Sequence, residues 1–426
     1  MPPGEEMVLV VGTTPDYVQW IRQSCPKEVL FLTDPVTRNE AQEVPPPASE
    51  EILCDLTDEN MVLSRLADHL RKEKVRLSGV ASFDCESMRL AAILAEAYKL
   101  HYPPVSAIDN CRDKFSANGV WRKNHVACAE AALIQSETQA IEFFKLTGGP
   151  CVFKPRNGSG SELVFIGNSP DQCRENFRKI STGLLKRQNS RMYKAEESVK
   201  EGCLAEKIIG GEEYSCDFIV ENNQARVIRI CRKILSPHGP FGTTWAYVLH
   251  SPGELSDVLP GLSDFLYQAA NALGISRALC MADFKAYNGK IVFLEMTPRP
   301  GGDCIPCLLR KGWQLDVLKL NLDFTRGFRL NLTGPTHSSP LVGMRIHAQS
   351  NGTVKMLEPR ELLVDPRVLE LHLLRKPGHR VLLPPEDYDS WLLGHVIFRP
   401  CGEESLISQC GDLLTKLEIM IESSNA

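Results

Sequence analysis

Over the first hundred positions, short apolar runs alternate with amphipathic stretches. Met7–Val11, Val29–Leu32, Ile52–Leu56 and Val80–Phe83 read as strands, and Tyr17–Arg22, Met61–Arg71 and Ser87–Leu100 as helices. In Met61–Arg71 the apolar positions Leu63, Leu66, Ala67 and Leu70 fall on one face. Strands alternating with helices predict a parallel sheet covered by helices. Glu43–Ser49, with its run of prolines, interrupts the pattern as a surface loop.

Near Arg112 the texture changes. Pro150–Pro155 and Leu163–Ile166 read as strands on either side of the Gly/Ser-rich run Arg156–Ser161, and Arg174–Ser198 as a helix plus a mobile polar segment. Cys203–Ile209 is a further strand. Tyr214–Val220 and Ala225–Ile230 alternate as an antiparallel pair turned at Asn222-Asn223. Leu262, Phe265, Leu266, Ala269, Ala270 and Leu273 mark a helix face ending at Gly274, and a short helix is expected at Leu315–Leu320. From about Leu341, strands at Gly343–Ala348, Val368–Leu374 and His395–Arg399 and a closing helix Glu404–Ile421 predict a small α+β unit.

The stretch Ala278–Asp303 organises the rest. It reads as two strands joined at Asn288-Gly289. The first carries Asp283, the second Glu295. A two-residue turn pairs Asp283 with Leu294 and sends Glu295 to the other face. A three-residue loop, Tyr287 to Gly289, instead makes Glu295 the diagonal neighbour of Asp283 on one face. Two carboxylates so placed would suit a hard divalent cation. Taken alone, the stretch reads rather as a solvent-facing hairpin with ordinary surface acids.

Composition narrows the class. Of 426 residues, 43% are hydrophobic and 24% charged, as in globular domains, and the chain is long enough for two or three cores. A net charge of -5 gives no electrostatic case for nucleic acid or anionic membranes, and no apolar run is long enough to span a bilayer. The N-terminus lacks a basic region followed by an apolar core, so no secretory signal is expected. Fifteen cysteines without paired spacing fit reduced thiols and a cytoplasmic setting. The one C-x-x-C, Cys304 and Cys307, has no second pair to complete a zinc site and reads as apolar packing.

The candidate chemistry lies in the middle of the chain. A flexible Gly/Ser loop between two strands can fold over phosphates, and Lys154 before it would add a cation. It is not a P-loop, because the G-x-x-x-x-G-K-[ST] order is absent and a strand follows. Gly12-Thr13-Thr14 follows the first strand without a G-x-G-x-x-G, so a dinucleotide site there is weakly supported.

Lys114, the segment Lys154–Ser161, the segment Glu206–Glu213, Asp283 and Glu295-Met-Thr-Pro-Arg-Pro-Gly-Gly, in that order, resemble the ATP-grasp superfamily of carboxylate–amine and carboxylate–thiol ligases. Within it they are most similar to the L-amino-acid ligases, the dipeptide synthetases and carnosine-synthase-like enzymes. The resemblance implies an α/β and α+β architecture: an N-terminal parallel-sheet domain over 1–107, the grasp fold over 108–334 with a lid at about 118–205, and a small C-terminal α+β domain over 335–426. It implies ATP and magnesium (or manganese) as cofactors, a small carboxylic acid (an amino acid) and an amine as substrates, and a homodimer among the possible assemblies. Two alternatives stay open: a carboxylase or purine-pathway type of ATP-grasp enzyme, and a nucleotide binder without ligase chemistry.

The same resemblance assigns roles. Lys114 and Lys154 would reach the phosphates, with Gly158, Ser159, Gly160 and Ser161 as the covering loop. Glu206, Lys207, Ile208 and Ile209 would lie along adenine, and Glu213 would hold the ribose. Asp283, Glu295 and Thr297 would be metal ligands, Thr297 standing where the family usually has Asn. Lys154 and Arg299 would be catalytic, and Arg299, Gly301, Gly302 and His238 would meet substrate. The family often has an acidic residue and a His where this chain has Gly242-Thr243-Thr244. Trp245 and Tyr247, and Arg345 and His347 opening the C-terminal unit, are further candidates near the substrates.

Overall fold

The computed structural model describes residues 5–41, 43–194, 202–330, 340–402 and 404–423. The N-terminal part is a parallel sheet of β1 (Glu6–Val11), β2 (Val29–Thr33), β3 (Glu51–Leu53) and β4 (Arg76–Ala81), in the order β3-β2-β1-β4. Helices Pro15–Ser24, Glu59–Glu73 and Met88–Tyr98 accompany it. Val8 to Val11 and Leu30 to Leu32 are almost wholly buried, which is why these strands read as unbroken apolar runs. The third and fourth strands start earlier than expected. The fourth opens on half-polar Arg76-Leu77-Ser78, which apolarity alone does not flag.

A second sheet, in the order β5-β8-β6-β7, is antiparallel: β5 (Ala131–Ile134), β6 (Cys151–Lys154), β7 (Phe165–Gly167) and β8 (Cys203–Lys207). Helices Glu137–Thr147 and Pro170–Lys186 pack on it, each capped by a serine, Ser136 and Ser169. The strand after the Gly/Ser loop begins at Phe165 rather than Leu163, because Ser161 and Leu163 take left-handed φ values of 62° and 54°. Part of the expected mobile segment before Ser198 lies outside the described residues.

The third sheet has eight strands: β9 (Glu212–Glu221), β10 (Gln224–Leu235), β11 (Thr244–His250), β12 (Ala278–Tyr287), β13 (Lys290–Thr297), β14 (Leu341–His347), β16 (Val368–Leu373) and β18 (Leu392–Phe398). Their order is β13-β12-β9-β10-β11-β14-β18-β16, so strands of the C-terminal segment extend the sheet that carries the hairpin. β15 (Gly352–Glu358), β17 (Arg380–Val381) and β19 (Glu418–Glu422) form a small separate sheet. The expected closing helix is therefore two elements, a helix Leu406–Thr415 and β19. Glu-Ile-Met-Ile-Glu has the period of a strand, with Ile419 and Ile421 packed inward and Met420 exposed. The expected unit boundary at Gly334 lies outside the described residues.

Two helices follow the hairpin. Ile305–Trp313 was not foreseen from its pattern, and it buries Cys304 and Cys307 as free thiols in the core between the first and third sheets. The helix expected at Leu315–Leu320 runs Val317–Thr325, because Asp316 accepts from the Lys319 N–H at 2.9 Å and sets its start. Among the described residues no helix is long and apolar enough to cross a membrane.

The hairpin follows neither simple alternative in full. Asn288 and Gly289 both have left-handed φ, 49° and 73°, and form a two-residue turn with Tyr287 opposite Lys290. A bulge at Leu294 then shifts the register by one, and Asp283 faces Glu295 directly.

Candidate active site

The second and third sheets face each other across a cleft. Each element presents one expected residue for a local reason. Asp113 caps the helix Lys114–Lys123 and pairs with Arg156, so the start of that helix is tied to the Gly/Ser loop. The Lys114 N–H donates to the Arg156 carbonyl at 3.0 Å, and its ammonium donates to the Gly158 carbonyl at 2.7 Å, 3.5 Å from Glu295. Gly158, at φ 134°, leaves room for the Tyr193 hydroxyl, which a side chain there would approach within 3.1 Å. The Ser161 hydroxyl donates to the Gly242 carbonyl at 2.8 Å, laying the loop over the segment that follows β10.

Lys154 on β6 and Glu206 on β8 are diagonal cross-strand neighbours, both buried, with 2.6 Å between ammonium and carboxylate. Lys207 to Ile209 then leave the strand along the cleft wall, and the Ile209 carbonyl accepts from Lys285 at 3.1 Å. Glu213, Lys233 and Asp283 form a chain: the Lys233 ammonium lies 2.7 Å from each carboxylate. Burial works against the charge on Lys233, but Asp283 and Glu213 outweigh it and hold its pKa well above the ordinary value.

Asp283 and Glu295 face each other at the cleft floor. Burial, then repulsion from Glu295 and Glu213, pushes the Asp283 carboxyl up despite Lys233. Burial also acts on Glu295, but Lys114, Lys233, Lys154 and Arg299 together hold it down. Asp283 Oδ1 and Thr297 Oγ1 are buried without a hydrogen-bond partner. Among the described residues no group of three His, Cys, Asp or Glu stands ready to hold a metal. Two opposed carboxylates, an unpartnered carboxylate oxygen and an unpartnered hydroxyl nonetheless suit a hard cation that takes its remaining oxygens from phosphates and water.

Beyond Thr297 the chain turns through Pro298 to Gly302. Arg299 donates to the Pro300 carbonyl at 2.8 Å and directs Nε and Nη2 at the Cys85 sulfur, 3.4 and 3.1 Å away. Beneath the turn lies a fully buried pair, Asp217 and Arg229, at 2.8 Å. Asp217 also accepts from the Gly301 N–H at 2.9 Å.

The structure brings Lys114, Lys154, Gly158 to Ser161, Glu206 to Ile209, Glu213, Asp283 and Glu295 to one cleft. Thr297 and Arg299 line an adjoining cavity that shares Lys114, Gly158, Ser159 and Glu295 with it. Gly301, Gly302 and His238 line neither, and His238 is exposed on the loop after β10. Trp245 and Tyr247 pack against core clusters, Arg345 pairs with Asp303 at 2.9 Å, and His347 stacks on Trp391 at 4.1 Å. Sequence reasoning missed Lys233, Lys285 and Cys85. Period-two spacing from Arg229 was the available signal for Lys233.

Residues 147–307 match the family described as ATP-grasp domain. No curated protein matches the chain by sequence. Among solved structures, the L-amino acid ligase from Bacillus licheniformis superposes with a TM-score of 0.73 at 17% identity, covering 99% of this chain and 100% of that one. An N5-carboxyaminoimidazole synthase from Aspergillus clavatus, solved with ADP and 5-aminoimidazole ribonucleotide, gives 0.69 at 13% identity, covering 98% and 100%. The biotin carboxylase domain of a 2-oxoglutarate carboxylase from Hydrogenobacter thermophilus, solved with MgADP, ADP and bicarbonate, gives 0.66 at 14% identity, covering 99% and 92%. At such identities the likeness shows the fold.

Proposed function

We propose that this chain, whose residues 147–307 match the ATP-grasp domain family, is an ATP-dependent, ADP-forming ligase that activates a small carboxylic acid, an amino acid, and joins it to an amine. The observation that carries this reading is the junction of two cavities. The larger holds Lys154, Glu206 and the Gly/Ser loop, the smaller holds Arg299, and both contain Lys114 and Glu295. A nucleotide in the first and an acid in the second would meet between them. Nucleotide bound in the two complexes above, and the name of the bacterial ligase, support the reading.

The chemistry follows from a carboxylate being a poor acyl donor. One of its oxygens attacks the γ-phosphorus, the bond to the bridging oxygen breaks, and ADP leaves. The amine nitrogen then attacks the acyl carbon, the carbon–oxygen bond to phosphate breaks, and phosphate and a proton depart. Lys114 and Lys154 stabilise charge growing on the phosphates, and Glu206 fixes where Lys154 stands. Asp283 and Glu295, with Thr297, would hold magnesium, which when bound neutralises phosphate charge. Arg299 grips the carboxylate or acyl phosphate with two parallel donors, which a lysine cannot do. The Gly/Ser loop covers the intermediate and excludes water.

The test is phosphate release from ATP and magnesium against amino acids, singly and in pairs, with mass spectrometry of products. The expected result is phosphate release with one pair and a product mass equal to the two substrates less water. Glu295→Gln is expected to abolish that turnover. ATP that protects against unfolding while no pair releases phosphate would overturn the ligase reading in favour of a binder. Release that depends on bicarbonate would favour a carboxylase.

A further inference from the structure

We propose that the small cavity beside Arg299 is the acyl-donor pocket and that its sulfur lining selects acids with a short apolar chain, the length limit being set by Met88 and Met192. This rests on the ligase reading above and adds the substrate class.

The cavity is small, and side chains of two kinds line it. Of the first kind are Arg299, Thr297 and Glu295, together with the part of the Gly/Ser loop shared with the nucleotide cleft. Here Arg299 aims Nε and Nη2, the two parallel donors of one guanidinium edge, at the single Cys85 sulfur. A thiol is a weak acceptor, whereas a carboxylate fills the same fork through both oxygens. The buried Thr297 hydroxyl, 7% exposed and without a partner, faces the same space. Both features point to an oxygen-rich ligand group.

The lining also includes Cys85, on which that fork closes, and the sulfur side chains of Met88, Cys111 and Met192, with Arg112 beside Met192. The sulfur side chains offer apolar, polarisable surface, and methionine conforms to an unbranched chain better than a branched residue does. Four parts of the molecule supply these sulfurs: Cys85 comes from the loop after β4, Met88 from the helix Met88–Tyr98, Cys111 from the helix Val105–Arg112 and Met192 from the short helix Arg191–Lys194. Arg112 locks two of them in register, donating to the carbonyls of Cys85 at 2.8 Å and Met192 at 3.2 Å. Arg191 adds a bond to the Ser87 hydroxyl at 2.6 Å. Arg112 is thus held by main-chain oxygens and by the Met192 sulfur at 3.7 Å, while Arg299 spends its fork on a thiol that a carboxylate displaces.

A lining of this kind discriminates by size. One methylene too many or too few in an apolar pocket changes kcat/KM by about 10–200-fold. The experiment measures phosphate release with a fixed amine and two homologous acid series, with and without an α-amino group, each lengthened one methylene at a time. Hydroxyl- or carboxyl-bearing acids of equal size serve as polar counterparts. The wild type is expected to prefer the apolar member of each size pair and to fall at least about tenfold one methylene past its optimum. Met192→Ala is expected to move the optimum one or two methylenes longer at unchanged ATP affinity. Met88→Leu, gentler in a fully buried position, is expected to narrow or shift the same profile. Calorimetric binding of the same acids in the presence of magnesium and ADP is read separately. If acids bind in the proposed order and the order shifts in Met192→Ala while no phosphate is released, the ligase reading fails and the pocket stands. If polar acids are preferred, if no acid binds, or if Met192→Ala and Met88→Leu both leave the chain-length profile where it was, the pocket assignment falls.

Discussion

Lys233 stands 2.7 Å from both Glu213 and Asp283, and its side chain is only 9% exposed, so water does little to screen the three charges. Removing one partner from a buried ionic group leaves uncompensated charge and costs about 3–5 kcal/mol. Lys233→Met is therefore expected to destabilise the protein by about that amount in chemical denaturation, and magnesium should restore part of the loss by replacing the missing positive charge at Asp283. Denaturation curves with and without magnesium check this; a variant as stable as wild type, or one indifferent to magnesium, would contradict the role given to Lys233. The residue was hard to read from the chain for a specific reason. The strand Gln224–Leu235 carries Arg226, Arg229, Arg232 and Lys233, and alternation alone assigns each a face only if the ladder is regular. A bulge between Val227 and Arg229 breaks that regularity, so the face of Arg229 and Lys233 cannot be carried on from Arg226.

At the level of elements, irregular backbone decides which side chains meet. The pair Asp283 and Glu295 was legible as two acids on neighbouring strands, and the Asn-Gly turn was legible as a turn. Their face-to-face register was not, because it depends on one extra residue, Leu294, whose effect no local pattern announces. The turn after β13 has a similar hidden support. Asp217 binds the Gly301 N–H, and a Cβ on Gly301 would stand 2.2 Å from the Arg229 guanidinium, which is fully buried and cannot swing aside. Gly301 was expected to touch substrate; the structure places it instead against the buried pair, where only the absence of a side chain lets the turn seat. Gly301→Ala is expected to displace Arg299 with the turn, lowering kcat by about tenfold or more while nucleotide affinity stays within about twofold. Steady-state kinetics beside direct nucleotide titration tests this, and equal losses in both would show that the turn serves the nucleotide site instead.

Across the whole molecule, the eight-stranded sheet joins the carboxylate pair on β12 and β13 to a row of basic side chains at its other end. Arg345, His395 and His372 sit opposite one another on β14, β18 and β16. The C-terminal strands were legible one by one, but their joining this sheet is a pairing between distant segments that local periodicity does not encode. The join has a consequence for pH. Burial, then His372 and Arg345, pushes His395 down to about 3, and burial, then Arg345, does the same to His347. Both His395 ring nitrogens are buried without partners. In the unfolded chain each imidazole takes a proton near pH ~6.5. Between that value and about 3 the unfolded state therefore binds more protons than the folded one, so stability present above pH ~6.5 is lost as pH falls. To pH ~5 the loss is at most about 2 kcal/mol for each histidine. Asp84 works in the opposite sense: burial first, then Glu86, raises it to about 6, so the folded form gains relative stability as pH falls through that range. The histidine contribution is thus isolated by difference rather than from the wild-type curve alone. His395→Phe, or His395→Leu if the larger ring overpacks the site, removes a titrating group whose nitrogens have no partner to lose. Denaturation free energies measured at pH 7 and pH 5 are expected to fall by up to about 2 kcal/mol less in the variant than in wild type. Parallel losses in the two proteins would mean that His395 is not held neutral, and that the buried end of the sheet is more open to water than its packing indicates.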